Sequence, residues 1–269
     1  MKGLFGTLVV LLQLLSVEPK ENYTALSKTL SRFGGPRSQV KCTEGFNQGG
    51  NAMVLVNNAA NLGQFSFDNR ASSCCFTGIW ILYDLPNYNA LDFNAIMYTG
   101  WGENMCTNFD GVFNKRASSA RVGGAPDGYK YNTLNIFQGP FFMGDEQFFY
   151  SDSAQFPVIN FGQSLLVTGC SPWTVYQFPN FQGASVCFMP QNTQSCAPGF
   201  FPNAGRLGGL AGQMSSARMG CYSGNVATSQ RTEESGWRVE GDGKSTIHFI
   251  QLAELQQNHV DKFSAIKTD

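Results

Sequence analysis

A chain of 269 residues and 29.4 kDa has the length of one large or two ordinary domains, and two is the expectation. Its net charge of −1 and charged fraction of 14 % leave no field strong enough to draw in nucleic acid or an anionic membrane surface. Electrostatics therefore names no partner.

In chain order, residues 1–18 read as a signal peptide. Lys2 precedes an apolar run from Leu4 to Leu15, which falls short of the ~20 residues that span a bilayer. The expected cut lies between Ser16 and Pro19, although an A-x-A site is missing. No later segment is apolar enough to cross a membrane, so the expected localisation is secreted and extracellular, with no membrane span. Asn22-Tyr23-Thr24 is a glycosylation sequon for such a chain.

Eight cysteines agree with export. Cys42, Cys74, Cys75 and Cys106 fall in the first half, and Cys170, Cys187, Cys196 and Cys221 in the second. None forms a C-x-x-C pair, so disulfides are expected rather than zinc, and each half leaves three pairings open.

The body of the chain repeats. "IWILYDLPNYNA…RASSARVGG" from Ile79 is echoed by "PWTVYQFPNFQG…QMSSARMGC" from Pro172, with Tyr83 corresponding to Tyr176, 93 residues on. "FQGPFFMG", Phe137 to Gly144, repeats the aromatic, aromatic, glycine spacing, and "SLLVTG" from Ser164 closes that unit. The earliest unit ends clearly in "SSCCFTG" from Ser72, with "FNQGG" and "NLGQF" as candidates for its turn. Four units are expected over 39–78, 79–124, 130–170 and 172–221.

Within them "WILYD", "EQFFY", "WTVYQF" and "ASVCF" alternate β-branched and aromatic residues between turn formers, and so predict strands. Tyr176 and Phe181 stand five apart, an odd spacing, and meet on one face only if the chain folds over at Pro179 and Asn180. Gly183 supplies a positive φ, and Ser215 or Ser216 is the expected hydroxyl clasp on that fold-over.

This combination, aromatic-x4-aromatic-x-Gly with a late Ser, resembles the Greek key motif of the βγ-crystallin superfamily. The resemblance covers roughly 39–221; units two to four carry it, and unit one carries it through its ending. It implies an all-β fold of two Greek key β-sandwich domains, 39–124 and 130–221. Ala90 departs from the pattern in the glycine place, so that hairpin is expected to be looser or to avoid positive φ.

The resemblance also implies calcium, through [ND]-[ND]-x-x-[ST]-S loops that exchange ligands in pairs. "DNRASS", Asp68 to Ser73, matches throughout, whereas "NKRASS", Asn114 to Ser119, sets Lys115 where a ligand belongs. Calcium takes six to eight oxygens, and an ammonium opposes it. One ion at Asp68, Asn69 and Ser118 is therefore implied, and none in the second domain, where "INFGQS" and "AGQMSS" lack the acidic pair.

Nothing predicts an enzyme. His248 and His259 lie beyond the repeats, and no H-x-E, H-E-x-x-H or Walker-type loop appears, while "GGLAG" from Gly208 lacks the lysine and helix of a phosphate cradle. The 23 phenylalanines fall mostly on alternating strand positions and at the fold-overs, where core packing accounts for them without glycan platforms.

Residues 222–269 form a C-terminal extension that opens with linker composition. "STIHFIQLA" then predicts a strand and "LAELQQNHVDKF" an amphipathic helix, expected to dock on a domain or to mediate self-association or a protein contact. Whether the domains pair within or between chains stays open at "GAPDGYK" (124–130). The expected function is that of a secreted, disulfide-stabilised structural or interaction protein. The alternative is a defence or recognition module, lectin-like, an inhibitor or a toxin-complex subunit.

Overall fold

A computed structural model describes residues 36–109 and 111–229 in full and, as backbone, 237–240 and 246–249. Residues 1–18, Asn22, the predicted C-terminal helix and His259 lie outside the described residues.

Strands β1 (Gln39–Thr43), β2 (Ala52–Leu55), β3 (Ser73–Tyr83), β4 (Met97–Asn108) and β5 (Ser119–Gly123) build the first half. The second half contains β6 (Thr133–Phe137), β7 (Glu146–Phe149), β8 (Ser164–Thr168), β9 (Trp173–Phe178), β10 (Gln182–Met189), β11 (Gly199–Phe201), β12 (Ser216–Met219) and β13 (Val226–Thr228). Only short 3-10 turns interrupt the strands in these described regions, as the absence of helical periodicity predicts.

Strand β3 serves two motifs at once. Its first residues pair with β1 and its last with β5, while β4 runs antiparallel to it with a register shift between Phe76 and Gly78. Alternation sends Cys74, Phe76, Trp80 and Leu82 into the first core and Ile79, Ile81 and Tyr83 outward. The second half separates into the sheets β11-β8-β6-β7 and β12-β9-β10-β13. Strand β11 belongs by sequence to the fourth motif yet pairs with β8 of the third, and Ser153 of the third bridges Ala217 of the fourth. Such reciprocal exchange makes each pair of motifs a Greek key sandwich.

Strand β13 falls in the stretch expected to be linker. The Cys187–Cys221 disulfide holds the chain beside β10, and Val226–Thr228 pairs with it in parallel. Farther on, β14 (Trp237–Glu240) and β15 (Thr246–Phe249) form a hairpin whose second strand pairs with β4, so the strand predicted in "STIHFIQLA" is present.

Three large apolar clusters and one small one, around Ala125 and Tyr131, hold the described residues together. Tyr98, Phe109 and Phe113 interlock in the first, with Tyr98–Phe109 centroids 4.7 Å apart. Phe149 stacks on Phe156 at 4.5 Å and Phe188 meets Phe201 edge-on at 4.9 Å in the second. The third joins the halves: Ile79, Ile81, Tyr83 and Met97 pack against Phe137, Phe142, Leu166 and Phe200. Burying each such side chain contributes roughly 1.5–3 kcal/mol. Most phenylalanines are thereby accounted for as core.

Polar groups fix the join. Tyr83 donates its hydroxyl to Phe142 O at 2.5 Å, the Gly144 amide donates to Tyr88 O at 2.9 Å, and Arg121 pairs with Glu146 at 3.7 Å. The two halves thus pair within one chain.

All eight cysteines are bonded, as Cys42–Cys74, Cys75–Cys106, Cys170–Cys196 and Cys187–Cys221. Cys42 stands directly opposite Cys74, and Cys75 opposite Cys106, so β3 is stapled to both neighbours, once on each face.

Candidate metal site

The site is a pair of loops that arrive at the clasp serines, and the clasp explains their rigidity. In all four motifs the last serine of the loop donates to one corner carbonyl and accepts from the amide three residues on. Ser73 bonds Gly45 O and Gln48 N, Ser119 bonds Leu85 O and Tyr88 N, Ser164 bonds Gly139 O and Phe142 N, and Ser216 bonds Phe178 O and Phe181 N. These distances lie between 2.6 and 3.1 Å. Ser216, rather than Ser215, is the clasp of the fourth motif.

"FNQGG" is the corner of the first motif. Thr43 and Gln48 occupy the two aromatic places there, and the Thr43 hydroxyl bonds that of Ser73 at 2.6 Å where the other motifs stack rings. Tyr83–Tyr88, Phe137–Phe142 and Tyr176–Phe181 meet edge-on at 5.7, 5.5 and 5.7 Å. Ala90 adopts φ −62°, and the left-handed conformation passes back to Asn89, whose amide bonds Leu85 N and Ile96 O.

With the clasps in place, the loops share one backbone. Their second residues, Asn69, Lys115, Asn160 and Gly212, all take positive φ, between 54° and 67°. The residue before the clasp serine turns toward the reciprocal loop in motifs two and four, where Ser215 Oγ accepts from Asn160 N at 3.1 Å. Ser118 Oγ lies 3.4 Å from Asn69 Oδ1, and Asn69 Nδ2 donates to Asp68 Oδ2 at 3.1 Å. Main-chain bonds tie the loops across, Asn69 N to Ala117 O at 2.9 Å and Lys115 N to Ala71 O at 2.8 Å.

Asp68, Asn69 and Ser118 are therefore brought together. A separation of 3.4 Å is long for a hydrogen bond but matches two oxygens at right angles around calcium, whose Ca–O bonds of about 2.4 Å set them about 3.4 Å apart. The donor set fits a hard cation on its oxygen chemistry. Among the described residues no three acidic, histidine or cysteine side chains converge, so Asp68 is the one carboxylate of this set. A single carboxylate belongs with weak calcium sites, at Kd of about 10⁻⁴–10⁻³ M.

The reciprocal loop places Asn114 Oδ1 in a buried position without a hydrogen-bond partner, beside Lys115. In the second half Ile159 and Ala211 stand where Asp68 and Asn114 stand in the first, and offer no side-chain oxygen.

Sequence reasoning missed the brace beneath the site. Arg116, in the reciprocal loop, binds Asp84 Oδ2 at 2.9 Å, and Arg70 pairs with Glu44. Burial pushes the Asp84 carboxyl above its ordinary range, with the Arg116 guanidinium pulling the other way. The available signal was an acid one residue after the first corner position, Glu44 and Asp84, repeated together with an arginine third in each loop.

No family model and no curated protein matches the sequence. Among solved structures the chain is similar to Geodin, a βγ-crystallin from Geodia cydonium, at 18 % identity over 68 % of this chain and 99 % of that one, with a TM-score of 0.53. It is also similar to a βγ-crystallin from Ciona intestinalis, at 18 % identity over 32 % of this chain and 99 % of that one, with a TM-score of 0.27. Protein S complexed with calcium matches at 17 % identity over 68 % and 99 %, with a TM-score of 0.27. The fold is that of the βγ-crystallins.

Proposed function

We propose that the chain is a secreted, non-enzymatic structural or interaction protein whose first sandwich is stabilised by one calcium ion. The observation that carries the reading is the pairing of all eight cysteines across two Greek key sandwiches, which suits an oxidising compartment. Residues 36–229 contain no histidine, and the buried serines Ser73, Ser119, Ser164 and Ser216 serve as clasps. Among the described residues no helix is long and apolar enough to cross a membrane.

Asp68, Asn69 and Ser118 would hold the ion, with main-chain carbonyls and water completing the shell. Bound calcium would supply charge to a loop pair that already has its geometry, and would raise stability by mass action. The boundaries proposed for the domains are 39–124 and 130–221, with β13 as an added edge on the second.

Expression of the full chain in secreting eukaryotic cells tests the reading. The expected product is a protein in the medium that lacks free thiols, begins between Ser16 and Pro19 and carries glycan at Asn22. A reduced product retained in the cytosol would overturn it.

A further inference from the structure

Motifs two and four carry the same outward stack of side chains, and they differ in what covers it. In each, an arginine two residues beyond the clasp serine lies on the second corner ring, Arg121 3.9 Å from Tyr88 and Arg218 4.8 Å from Phe181. Another ring faces the guanidinium: Phe137 at 5.5 Å for Arg121, and Tyr222 at 4.6 Å for Arg218. Each arginine also has a carboxylate beside it, Glu146 at 3.7 Å and Asp152 at 3.9 Å.

The second motif shows what this position recognises. Arg121 reaches across to the corner hairpin of motif three, donates to Gly144 O at 2.8 Å and meets the carboxylate two residues on; its side chain is 4 % exposed. Arg218 is 38 % exposed, and among the described residues its guanidinium finds no carbonyl. Its Nε is buried without a hydrogen-bond partner.

The surface around Arg218 is rigid. Tyr222 is held by its amide on Thr174 Oγ1 at 2.8 Å and by the adjacent Cys187–Cys221 disulfide, yet the residue is 59 % exposed. A guanidinium held between two rings keeps its planar fork preorganised for a carbonyl or carboxylate. An exposed tyrosine beside an arginine also combines residue types that concentrate binding energy.

We propose that the Arg218 stack is a docking site for a partner protein presenting an acidic β-hairpin corner, with a main-chain carbonyl for the guanidinium and a carboxylate two residues beyond it. The partner is taken to be a different chain, because among the described residues the four corners of this one have little to offer in trans. Motif three already engages Arg121, and motifs one and four set Ala52 and Ser185 at the carboxylate place. Asp92 of motif two caps the Asn94 amide in a turn of different backbone. The inference goes beyond the proposed function and depends on neither calcium nor secretion.

A head-to-tail cyclic peptide copying Asn135–Phe148, whose ends are cross-strand partners, is the probe. Its binding to the full oxidised chain is read by fluorescence anisotropy and by the arginine Nε–H resonances. Saturable 1:1 binding is expected that moves the Arg218 resonance and weakens at least about tenfold in Arg218→Gln, in Arg218→Lys, and with a Glu146→Gln peptide. Unchanged thermal melts in both variants exclude misfolding as the cause. No saturation at millimolar peptide, equal binding by Arg218→Gln, or resonance changes confined to Arg121 would overturn the proposal. Concentration-dependent self-association abolished by Arg218→Gln would also overturn it, by making the partner a second copy.

Discussion

Ala90 and Gly144 hold equivalent places after their corners, yet they demand opposite side chains. Gly144 has φ +76°, and a Cβ there would meet Gln138 Oε1 at 2.8 Å and the Phe93 ring at 3.1 Å. Gly144→Ala should therefore cost about 2 kcal/mol or more by guanidinium unfolding, whereas Ala90→Gly should cost only about 0.5–1 kcal/mol through chain entropy. Equal losses would show that the left-handed turn in motif two does not rest on Asn89. Asp84 gives a second residue-scale expectation. Its folded pKa lies above the unfolded value, so its contribution is favourable below the unfolded value and is lost as pH rises through the folded one. At pH 7 Asp84→Asn should be neutral or stabilising, and wild type should gain on the variant as pH falls toward the ordinary carboxylate range. A marked loss of stability in Asp84→Asn at pH 7 would mean that the Arg116 pair outweighs burial. The corners themselves were legible wherever rings marked them. Motif one was legible only as two candidate turns, of which "FNQGG" is the corner, because a Thr43–Ser73 hydroxyl pair replaces the rings and leaves no aromatic spacing to read.

At the scale of elements, β3 joins two motifs and is stapled on both faces. Neighbouring cysteines in a strand point oppositely, so Cys74 closes on Cys42 toward the core and Cys75 on Cys106 away from it. The closed loops span 32 and 31 residues, for which chain entropy gives about 3–4 kcal/mol each. The double variant Cys75→Ser, Cys106→Ser should lose about that much in chemical unfolding without leaving a core cavity. A loss below about 1 kcal/mol would show that the reduced, unfolded chain keeps these strands together. Strand segments were readable from alternation, but the pairing was not. It depends on register between β1, β3 and β4, which composition does not encode. The paired loops were readable for a different reason: "DNRASS" and "NKRASS" match the short pattern that the resemblance implies and each ends on its motif's clasp serine, which set Asp68 and Asn69 against Ser118. The Arg116–Asp84 brace is repeated as Arg70–Glu44, so an arginine third in each loop and an acid one residue after each corner position were the signal that went unread.

At the scale of the molecule, the third apolar cluster makes the halves one cooperative body. Motif two presents Ile79, Ile81 and Tyr83, and motif three answers with Phe137, Phe142 and Leu166. The corresponding outward positions elsewhere are less apolar, with Lys41 and Thr43 in motif one and Thr174 beside Tyr176 in motif four. The apolar join is thus specified once. Arg121→Met removes the countercharge of Glu146, whose side chain is 8 % exposed, and should cost about 3–5 kcal/mol. Calorimetry should show one transition in the wild type and two in the variant, with Arg121→Met, Glu146→Leu recovering much of the loss. A wild type that already melts in two steps would refute the coupling. The interface was invisible in the sequence because it is a contact between residues of different repeats, each of which reads locally as an ordinary strand or corner.

Calcium titration calorimetry on the metal-stripped, oxidised protein, with Asp68→Ala beside it, tests the proposed role most directly. One weak site, at Kd of about 10⁻⁴–10⁻³ M, that raises Tm and vanishes in Asp68→Ala is the predicted result. Absence of binding heat and of any Tm shift, or binding that survives Asp68→Ala, would contradict a calcium-stabilised first sandwich built on Asp68, Asn69 and Ser118.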